Sequence, residues 1–146
     1  MCILTMEIKI KKLHSVAKIP EYAHSTDAGL DIFSIEKVVI FPGVRVLIST
    51  GIAMEIPHGF VGLIWDKSGV ATKHGLKTLA GVVDAGYRGE IKVGLINLST
   101  TDYSIEIGDK IAQMLIQKVE HVTIQEVLEL SDTPRGVGAF GSTGEK

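Results

Sequence analysis

The feature that most constrains the fold is a series of short, β-rich apolar runs separated by Gly or Pro turns. Val38–Phe41 stops at Pro42-Gly43, and Pro57-His58-Gly59 turns the chain into Phe60–Trp65. Such spacing favours an antiparallel sandwich, because βαβ units need long helical crossovers between their strands. The sequence therefore predicts an all-β, jelly-roll-like β-sandwich.

The other predicted elements complete this pattern. Further strands are predicted at Met6–Leu13, at the end of the polar stretch Ala23–Ser34, at Val44–Ile48, at Gly51–Ile56, across Ile105–Lys118 with an interruption at Gly108-Asp109, and within Val119–Leu130. The one predicted helix is short, Ser68–His74, with Ser68 as its N-cap and Gly75 as its stop.

Length and composition suit one globular domain with few classes of partner. The 146 residues are 45% hydrophobic and carry a net charge of −2, which argues against a broad nucleic-acid surface. The single cysteine, Cys2, cannot form an internal disulfide and fits a reducing compartment. We find no apolar stretch of membrane-spanning length and expect a cytoplasmic protein that contacts neither nucleic acid nor membrane.

The stretch Gly81–Glu90 combines an acid, an aromatic residue and glycines between two β-rich runs, Leu79–Val83 and Ile91–Leu98. We interpret the runs as a β-hairpin whose turn carries Asp84 and Tyr87. Glycine allows a ligand to approach the main chain closely, so the backbone here could offer N–H and C=O groups to a flat molecule. An ordinary tight turn with a solvated Asp is the alternative.

The composition changes near the C-terminus, which divides the chain into a β-sandwich domain, residues 1–134, and a glycine-rich tail, residues 135–146. Such a tail cannot build a core and is expected to be mobile alone. A disordered terminus is one interpretation. The other is a clamp, since the tail supplies a cation, an aromatic face and two hydroxyls, in Arg135, Phe140, Ser142 and Thr143.

Five stretches resemble, in order and at familiar spacing, the five motifs of the trimeric dUTPase family. They are Ala28–Ile32, Lys67–Ala71, Gly81–Gly89, Gly108–Gln113 and Arg135–Gly144. The resemblance implies a dUTPase-like jelly roll (a β-clip), hydrolysis of dUTP to dUMP and pyrophosphate, and a homotrimer with active sites shared between subunits. It also implies that Mg²⁺ accompanies the triphosphate as cofactor.

The resemblance further implies a role for individual residues. Asp84 matches the carboxylate that activates the attacking water, and Tyr87 matches the aromatic residue under the deoxyribose. Asp31 is similar to the acid that holds the waters of Mg²⁺, with a purely structural hydrogen bond as the alternative. The remaining implied substrate contacts are Lys67, Ser68, Gly69, Gly81, Val82, Val83, Lys92, Gln113, Arg135, Phe140, Gly141, Ser142 and Thr143.

The chain departs from the family pattern at three positions. Lys67, preceded by Asp66, stands where an Arg preceded by Pro or Gly is usual, and we expect the Asp66 carboxylate to cancel part of its charge. Lys110 likewise replaces an Arg in the fourth motif, and Ala139 replaces a Gly of the tail.

Two other functions compete with dUTP hydrolysis. dCTP deaminase shares the fold but needs a further acid, and Gly94 occupies the position expected for that glutamate. A weakly catalytic nucleotide-binding or regulatory module is the second alternative, supported by Lys67 alone. The five histidines are scattered without the spacing of zinc ligands.

Overall fold

The computed structural model describes residues 6–141 and 143–144, so the predictions for Cys2 and Ser142 lie outside the described residues. Within this range the strands are β1 (Lys9–Lys12), β2 (Leu30–Phe33), β3 (Val38–Ile40), β4 (Arg45–Glu55), β5 (Phe60–Trp65), β6 (Leu76–Leu79), β7 (Val82–Val83), β8 (Glu90–Asn97), β9 (Tyr103–Ile105) and β10 (Lys110–Lys118). The described helix is α1 (Ser68–His74).

The strands form two four-stranded sheets and one strand pair, all antiparallel. One sheet has the order β1-β4-β8-β6, the other has the order β2-β10-β5-β7, and β3 pairs with β9. This arrangement confirms the predicted all-β architecture with one short helix. No helix within the described residues is long and apolar enough to cross a membrane.

The core lies between the sheets because the strands alternate between apolar and polar residues. In β8, every second side chain is buried, and β6 alternates in the same way. The largest fully buried apolar side chains are Ile32, Ile40, Ile48, Ile52, Ile91, Val93, Leu95, Ile105 and Met114. The buried amide of Asn97 donates to the carbonyls of Ile40 and Thr101, both at 2.8 Å, and so fastens the end of β8 to neighbouring loops.

Val44–Ile48 and Gly51–Ile56 were predicted as two strands, but they form the single long strand β4. Instead of a turn, the chain has an irregularity between Ser49 and Ala53, where the pairing with β8 shifts register. Gly51 adopts a positive φ of 68°, and its N–H donates to Oε1 of Glu90 at 2.9 Å. This side-chain bond ties the irregular stretch of β4 to Glu90 on β8.

The predicted hairpin between Leu79–Val83 and Ile91–Leu98 is wrong in its pairing. β6 pairs with β8, whereas β7 pairs with β5 in the other sheet. The chain changes sheets at Ala80 and Gly81, which have positive φ values of 60° and 116°. The segment from Asp84 to Gly89 then returns the chain from one sheet to the other, so it bridges the two sheets at one end of the sandwich.

Two further predictions are wrong. Val119–Leu130 forms no strand, and most of its large apolar side chains are exposed, because this segment finds no sheet edge among the described residues. The N-cap of α1 is Lys67, which makes no side-chain capping bond, and Ser68 is the first helical residue. The predicted stop is correct in position, since Gly75 is the C-cap in the left-handed conformation.

Candidate active site

The segment that changes sheets opens a cleft of ≈ 320 Å³ between β7 and β8. Of the predicted site residues, six line this cleft: Gly81, Val82, Val83, Asp84, Tyr87 and Lys92. Asp84 is exposed to solvent, so a water molecule can reach its carboxylate. The cleft thus places an acid, an aromatic ring and a stretch of backbone around one volume.

Hydrogen bonds hold Tyr87 through its backbone N–H and through its side-chain hydroxyl. Its N–H donates to the carbonyl of Asp84 at 3.0 Å, and its hydroxyl donates to the carbonyl of Glu90 at 2.9 Å. A Cβ at Gly89 would collide with the Tyr87 ring, so glycine leaves the space in which the ring lies. The aromatic face is therefore held in a defined position.

The cleft wall at β7 is a sheet edge, because β7 is the last strand in its sheet. Its inner side pairs with β5, which leaves the outward backbone groups of Val82 and Val83 without a strand partner among the described residues. Gly81 accepts a 2.8 Å hydrogen bond from Ile64 N–H, and a Cβ at Gly81 would lie only 2.7 Å from the Ile64 carbonyl oxygen. Glycine is needed here for contact between two backbones.

A second cluster of predicted site residues surrounds Asp31. Nζ of Lys67 lies 2.5 Å from Oδ1 of Asp31, and Nζ of Lys110 lies 2.6 Å from Oδ2, close enough for an ion pair although Oδ2 receives no well-aligned hydrogen bond. Burial by itself raises the pKa of Asp31, but the contacts with Lys110 and Lys67 outweigh it and hold the pKa below its ordinary value. The carboxylate is ionised at neutral pH.

The expected partial cancellation of the Lys67 charge by Asp66 is wrong, since Asp31 is the partner of Lys67. The carboxylate of Asp66 accepts from the N–H and the hydroxyl of Thr78, both at 2.7 Å, and from Nζ of Lys77 at 2.8 Å. Adjacency in the sequence led to the wrong partner for Lys67, because Asp66 instead accepts two hydrogen bonds from Thr78 on β6.

Gln113, Ser68 and Gly69 lie beside this second cluster. Gln113 is directly opposite Asp31 in the β2–β10 pair, and its Nε2 donates to the Asp66 carbonyl at 2.8 Å. A Cβ at Gly29 would collide with the Gln113 carboxamide, so glycine makes room for it. Ser68 and Gly69 are exposed at the start of α1, where backbone N–H groups have no intrahelical acceptor.

The predicted tail residues lie apart from both clusters. Arg135, Phe140, Gly141 and Thr143 border a separate depression within the tail, and Phe140 is fully exposed. Among the described residues, the hydrogen bonds of the tail are local: Arg135 Nε donates to the Gly138 carbonyl at 3.0 Å, and Gly136 N–H donates to the carbonyl of Thr133, just before the tail, at 3.0 Å. The single chain therefore brings the predicted site residues together in three groups and does not join the groups.

Sequence reasoning missed other residues that line the cleft. Glu90 and Gly94 lie on the same face of β8 as Lys92, and this alternation could have identified them once Lys92 was chosen. Leu47 lines the cleft from β4, where it lies opposite Gly94 in the strand pairing. That contact depends on long-range register, which no local pattern reveals.

Comparison with known proteins shows the family to which this chain belongs. The family model described as dUTPase matches residues 15–144. The chain belongs to the dUTPase family. Among its relatives, the deoxyuridine 5'-triphosphate nucleotidohydrolase of Clostridium kluyveri is 50% identical over 141 residues, covering 95% of this chain and 99% of the relative. The enzyme of that name from Corynebacterium diphtheriae is 52% identical over 140 residues, covering 94% and 92%.

Solved dUTPase structures share the fold. A dUTPase mutant of Staphylococcus bacteriophage 80alpha with dUpNHpp superposes with a TM-score of 0.90 at 34% identity, covering 96% of this chain and 99% of that chain. A dUTPase mutant from phage phi11 of S. aureus, whose structure details the coordination of a structural Mg(II) ion, gives 0.81 at 31% identity, covering 87% and 100%. These likenesses confirm the predicted dUTPase-like jelly roll.

Proposed function

We propose that this dUTPase-family protein hydrolyses dUTP to dUMP and pyrophosphate, which keeps dUTP low and supplies dUMP. The observation that carries the proposal is the cleft between β7 and β8, where the exposed carboxylate of Asp84 shares one volume with the fixed ring of Tyr87 and the open backbone edge of β7. Relatives of matching length that carry the nucleotidohydrolase name support it.

In the proposed reaction, Asp84 accepts a proton from a water molecule that attacks the α-phosphorus in line with the departing pyrophosphate. General-base assistance of this kind typically contributes about 10²–10⁴-fold. The position of Tyr87 supports its role under the deoxyribose, because a ring held through its hydroxyl and its backbone resists displacement by a 2′-hydroxyl. The ring would then select deoxynucleotides over ribonucleotides.

The edge of β7 supports recognition of uracil by the main chain. Uracil presents two carbonyl oxygens and the N3–H, which complement peptide N–H and C=O groups in the extended backbone of Val82 and Val83. Cytosine has a different donor and acceptor pattern, so it would leave peptide groups unpaired, and sites built on hydrogen bonds reject such analogues strongly. The edge position of β7 leaves these groups accessible.

The Lys67 cluster supports binding of the phosphates. We assign Lys67, Ser68, Gly69 and Gln113 to the phosphate chain, because they combine a cation, a hydroxyl, backbone N–H groups and a carboxamide near one another. The outward position of Ser68 and Gly69 at the start of α1 leaves their N–H groups available to an anion.

Mg²⁺ is the proposed cofactor and would bind mainly through the triphosphate. The described residues contain no group of three or more His, Cys, Asp or Glu side chains that could hold a metal ion by themselves. When bound, Mg²⁺ neutralises charge on the phosphate oxygens. The role of Asp31 toward the waters of Mg²⁺ stays a prediction, and these waters would share the carboxylate with Lys67 and Lys110.

The separation of the site into groups supports a homotrimer in which each active site combines residues from different copies. The cleft lining does not include Lys67, Ser68 or Gln113, and one copy alone leaves these phosphate contacts outside the cleft. The exposed apolar side chains of the segment 119–130 also favour contact with another copy. They are Val122, Ile124, Val127, Leu128 and Leu130. The predicted cytoplasmic location is part of the same proposal.

We further propose that the sandwich domain, residues 1–134, and the tail, residues 135–146, act as body and lid. Arg135 and Thr143, together with the predicted Ser142, would hold the γ-phosphate, and Phe140 would stack on uracil beside Gly141. The exposure of Phe140 supports this, since an aromatic ring without a packing partner can bind a base.

The deaminase alternative is less well supported. A Cβ at Gly94 would lie 3.1 Å from the Leu79 carbonyl oxygen, so this position is crowded as well as lacking an acid. Glycine cannot transfer the protons that deamination requires. The regulatory alternative rested on Lys67 alone, and Lys67 has an ordered ionic partner in Asp31.

The deciding experiment is incubation of the protein with dUTP, dCTP, dTTP and UTP in the presence of Mg²⁺, followed by identification of the products. Pyrophosphate from dUTP alone is expected. Ammonia from dCTP would instead support the deaminase, and binding of dUTP without any product would support the regulatory module.

A further inference from the structure

The irregular stretch of β4 lies against the start of β8, and two hydrogen bonds that use side chains join them. The buried hydroxyl of Thr50 donates to the Ile91 carbonyl at 2.5 Å. The N–H of Gly51 donates to Oε1 of Glu90 at 2.9 Å. One bond uses a side chain of β4 and the other uses a side chain of β8, so the first two residues of β8 are both tied to β4.

Gly51, the donor to Glu90, is itself held firmly. Its carbonyl accepts a 2.7 Å hydrogen bond from the N–H of Leu13, and its φ is positive, at 68°. A Cβ at this position would lie 2.9 Å from Cβ of Ala17, so a side chain would meet crowding as well as backbone strain. The N–H that meets the Glu90 carboxylate therefore comes from a fixed point of the fold.

Glu90 connects this fixed point to the cleft. Its backbone carbonyl accepts the 2.9 Å hydrogen bond from the hydroxyl of Tyr87. Its side chain lines the cleft and is 25% exposed, with Oε2 3.7 Å from Nζ of Lys92. A single residue thus bonds to β4 through its carboxylate and holds the aromatic ring through its main chain.

We propose that Glu90 is a positioning residue that determines the selectivity for dUTP over UTP. Its carboxylate, held by Gly51, fixes the carbonyl to which the Tyr87 hydroxyl donates. Steric rejection of a 2′-hydroxyl requires a ring held to within about 0.5 Å, and such precision comes from the residues that support the ring. The inference rests on the proposed function and deepens it, since it names the support on which sugar discrimination by Tyr87 depends.

The first test measures kcat/KM for dUTP and for UTP and compares their ratio between variants. Glu90→Ala should lower the ratio by about tenfold, the loss typical of one charge-assisted hydrogen bond, chiefly because UTP becomes a better substrate. Glu90→Gln should retain most of the wild-type ratio, since its amide oxygen can still accept from Gly51 N–H. An unchanged ratio in Glu90→Ala would overturn the inference.

The matched control is Glu106→Ala, which removes an exposed glutamate whose partner is the exposed Lys37, at 2.9 Å. This variant should keep the wild-type ratio. An equal loss of kcat/KM for both substrates in Glu90→Ala would indicate general damage to the site and would contradict a role in selectivity. If Glu90→Gln lost as much selectivity as Glu90→Ala, the cause would be the missing charge opposite Lys92, and the positioning role would be refuted.

The second test asks whether Glu90 acts through the Tyr87 hydroxyl. Tyr87→Phe removes that hydroxyl and should lower the ratio as Glu90→Ala does. If both changes break the same connection, the double variant should lose no more selectivity than either single variant. Additive losses would mean that Glu90 acts on the nucleotide directly, and they would sink the positioning role.

Thermal unfolding shows whether each variant folds. Glu90→Asp supplies a second variant if Glu90→Ala does not fold, because it keeps the charge but draws the carboxylate back from Gly51 by one methylene. It should lower the ratio as Glu90→Ala does, and a wild-type ratio in Glu90→Asp would count against the anchor.

The proposed function and the role of Glu90 can fail separately. A wild-type protein that leaves dUTP intact would refute the proposed function, while binding of dUMP and UMP to the Glu90 variants would still decide whether Glu90 determines the preference for deoxyribose. A wild-type protein that accepts UTP as readily as dUTP would refute the roles of both Tyr87 and Glu90. Selective hydrolysis of dUTP with an unchanged ratio in Glu90→Ala would refute the inference alone.

Discussion

Removing the Asp66 carboxylate should destabilise the protein, because Asp66 links the end of β5 to the edge strand β6. Among the residues that the structure describes, β6 is the edge of its sheet, so the outward N–H of Thr78 has no strand partner there and donates to Asp66 instead. The Thr78 hydroxyl donates to the same oxygen. Thr78 is buried, and Asp66→Ala would leave both donors unsatisfied away from water.

The expected loss follows from these contacts. Charge-assisted hydrogen bonds contribute about 1.5–3 kcal/mol, and we count the two bonds to one oxygen of Asp66 as a single unit of this size. The ion pair with Lys77 adds less than about 1 kcal/mol, because Lys77 is half exposed and salt and solvent screen it. Asp66→Ala should therefore lower the free energy of unfolding by about 1.5–4 kcal/mol.

Urea unfolding followed by circular dichroism and by the fluorescence of the single tryptophan, Trp65, measures this loss. Protein concentration must be fixed, since a homo-oligomer couples stability to assembly. Asp102→Ala is the matched control, because it removes an exposed acid from the loop between β8 and β9 and should leave the unfolding free energy unchanged.

The effect should also depend on pH. Burial raises the pKa of Asp66, but the bonds from Lys77 and Thr78 outweigh it, so the folded-state pKa lies below the ordinary value of 3.8. A depressed carboxylate pKa means that the stabilisation is fully present above pH 3.8 and is lost as pH falls through the folded-state pKa. The difference in the free energy of unfolding between the wild type and Asp66→Asn should be present at pH 7 and should disappear in acid.

Two results would refute this reasoning. A loss below about 0.5 kcal/mol in Asp66→Ala would match an ordinary surface substitution and show that the contacts with Thr78 carry no net stability. If the difference in unfolding free energy between the wild type and Asp66→Asn stays constant from pH 7 into acid, the charge of Asp66 contributes nothing to stability.

Replacing Asp84 by Asn should lower kcat for dUTP by about a hundredfold or more while nucleotide binding is kept, and a variant with more than about a tenth of wild-type kcat would contradict its role as base. Lys67→Arg should lower KM, because the guanidinium fork can hold Asp31 and a phosphate oxygen together; an unchanged or raised KM would mean that the cluster requires lysine. Deleting residues 135–146 should preserve the fold and cut kcat severely, and full activity of the truncated protein would exclude a lid. Hydrogen exchange of the tail should show protection with a non-hydrolysable dUTP analogue and little with dUMP.

The sequence allowed the fold class to be predicted because its signals are local. Alternating apolar residues mark β8 whatever it pairs with, and Gly75 marks the end of α1 through its own conformation. Pairing was harder to predict. The run Leu79–Val83 looks continuous, yet Ala80 and Gly81 break it with positive φ values and send its two halves to different sheets.

The candidate site, too, could be predicted only where its residues lie close together in the sequence. Six of the cleft residues could be predicted because they lie within one stretch of the chain, from Gly81 to Lys92, whereas Leu47 lies on another strand and was missed. The partners of Lys67 could not, since Asp31 is 36 positions away and reaches Lys67 only through the pairing of β2, β10 and β5. Asp66 was chosen instead because it is adjacent in sequence.

The three groups of site residues differ in how they are held, and this difference bears on mechanism. The cleft is fixed by backbone contacts, such as the bond from Ile64 N–H to the Gly81 carbonyl, so under the proposed function it would select a base and a sugar before any phosphate binds. The Asp31 cluster is held by ionic contacts that a phosphate can share. Among the described residues, the tail makes hydrogen bonds only within itself and to Thr133 just before it, so under the proposed function it would gain partners when ligand arrives. Recognition should therefore proceed from the nucleoside to the phosphates, and the lid should close last, once a triphosphate is in place to hold it.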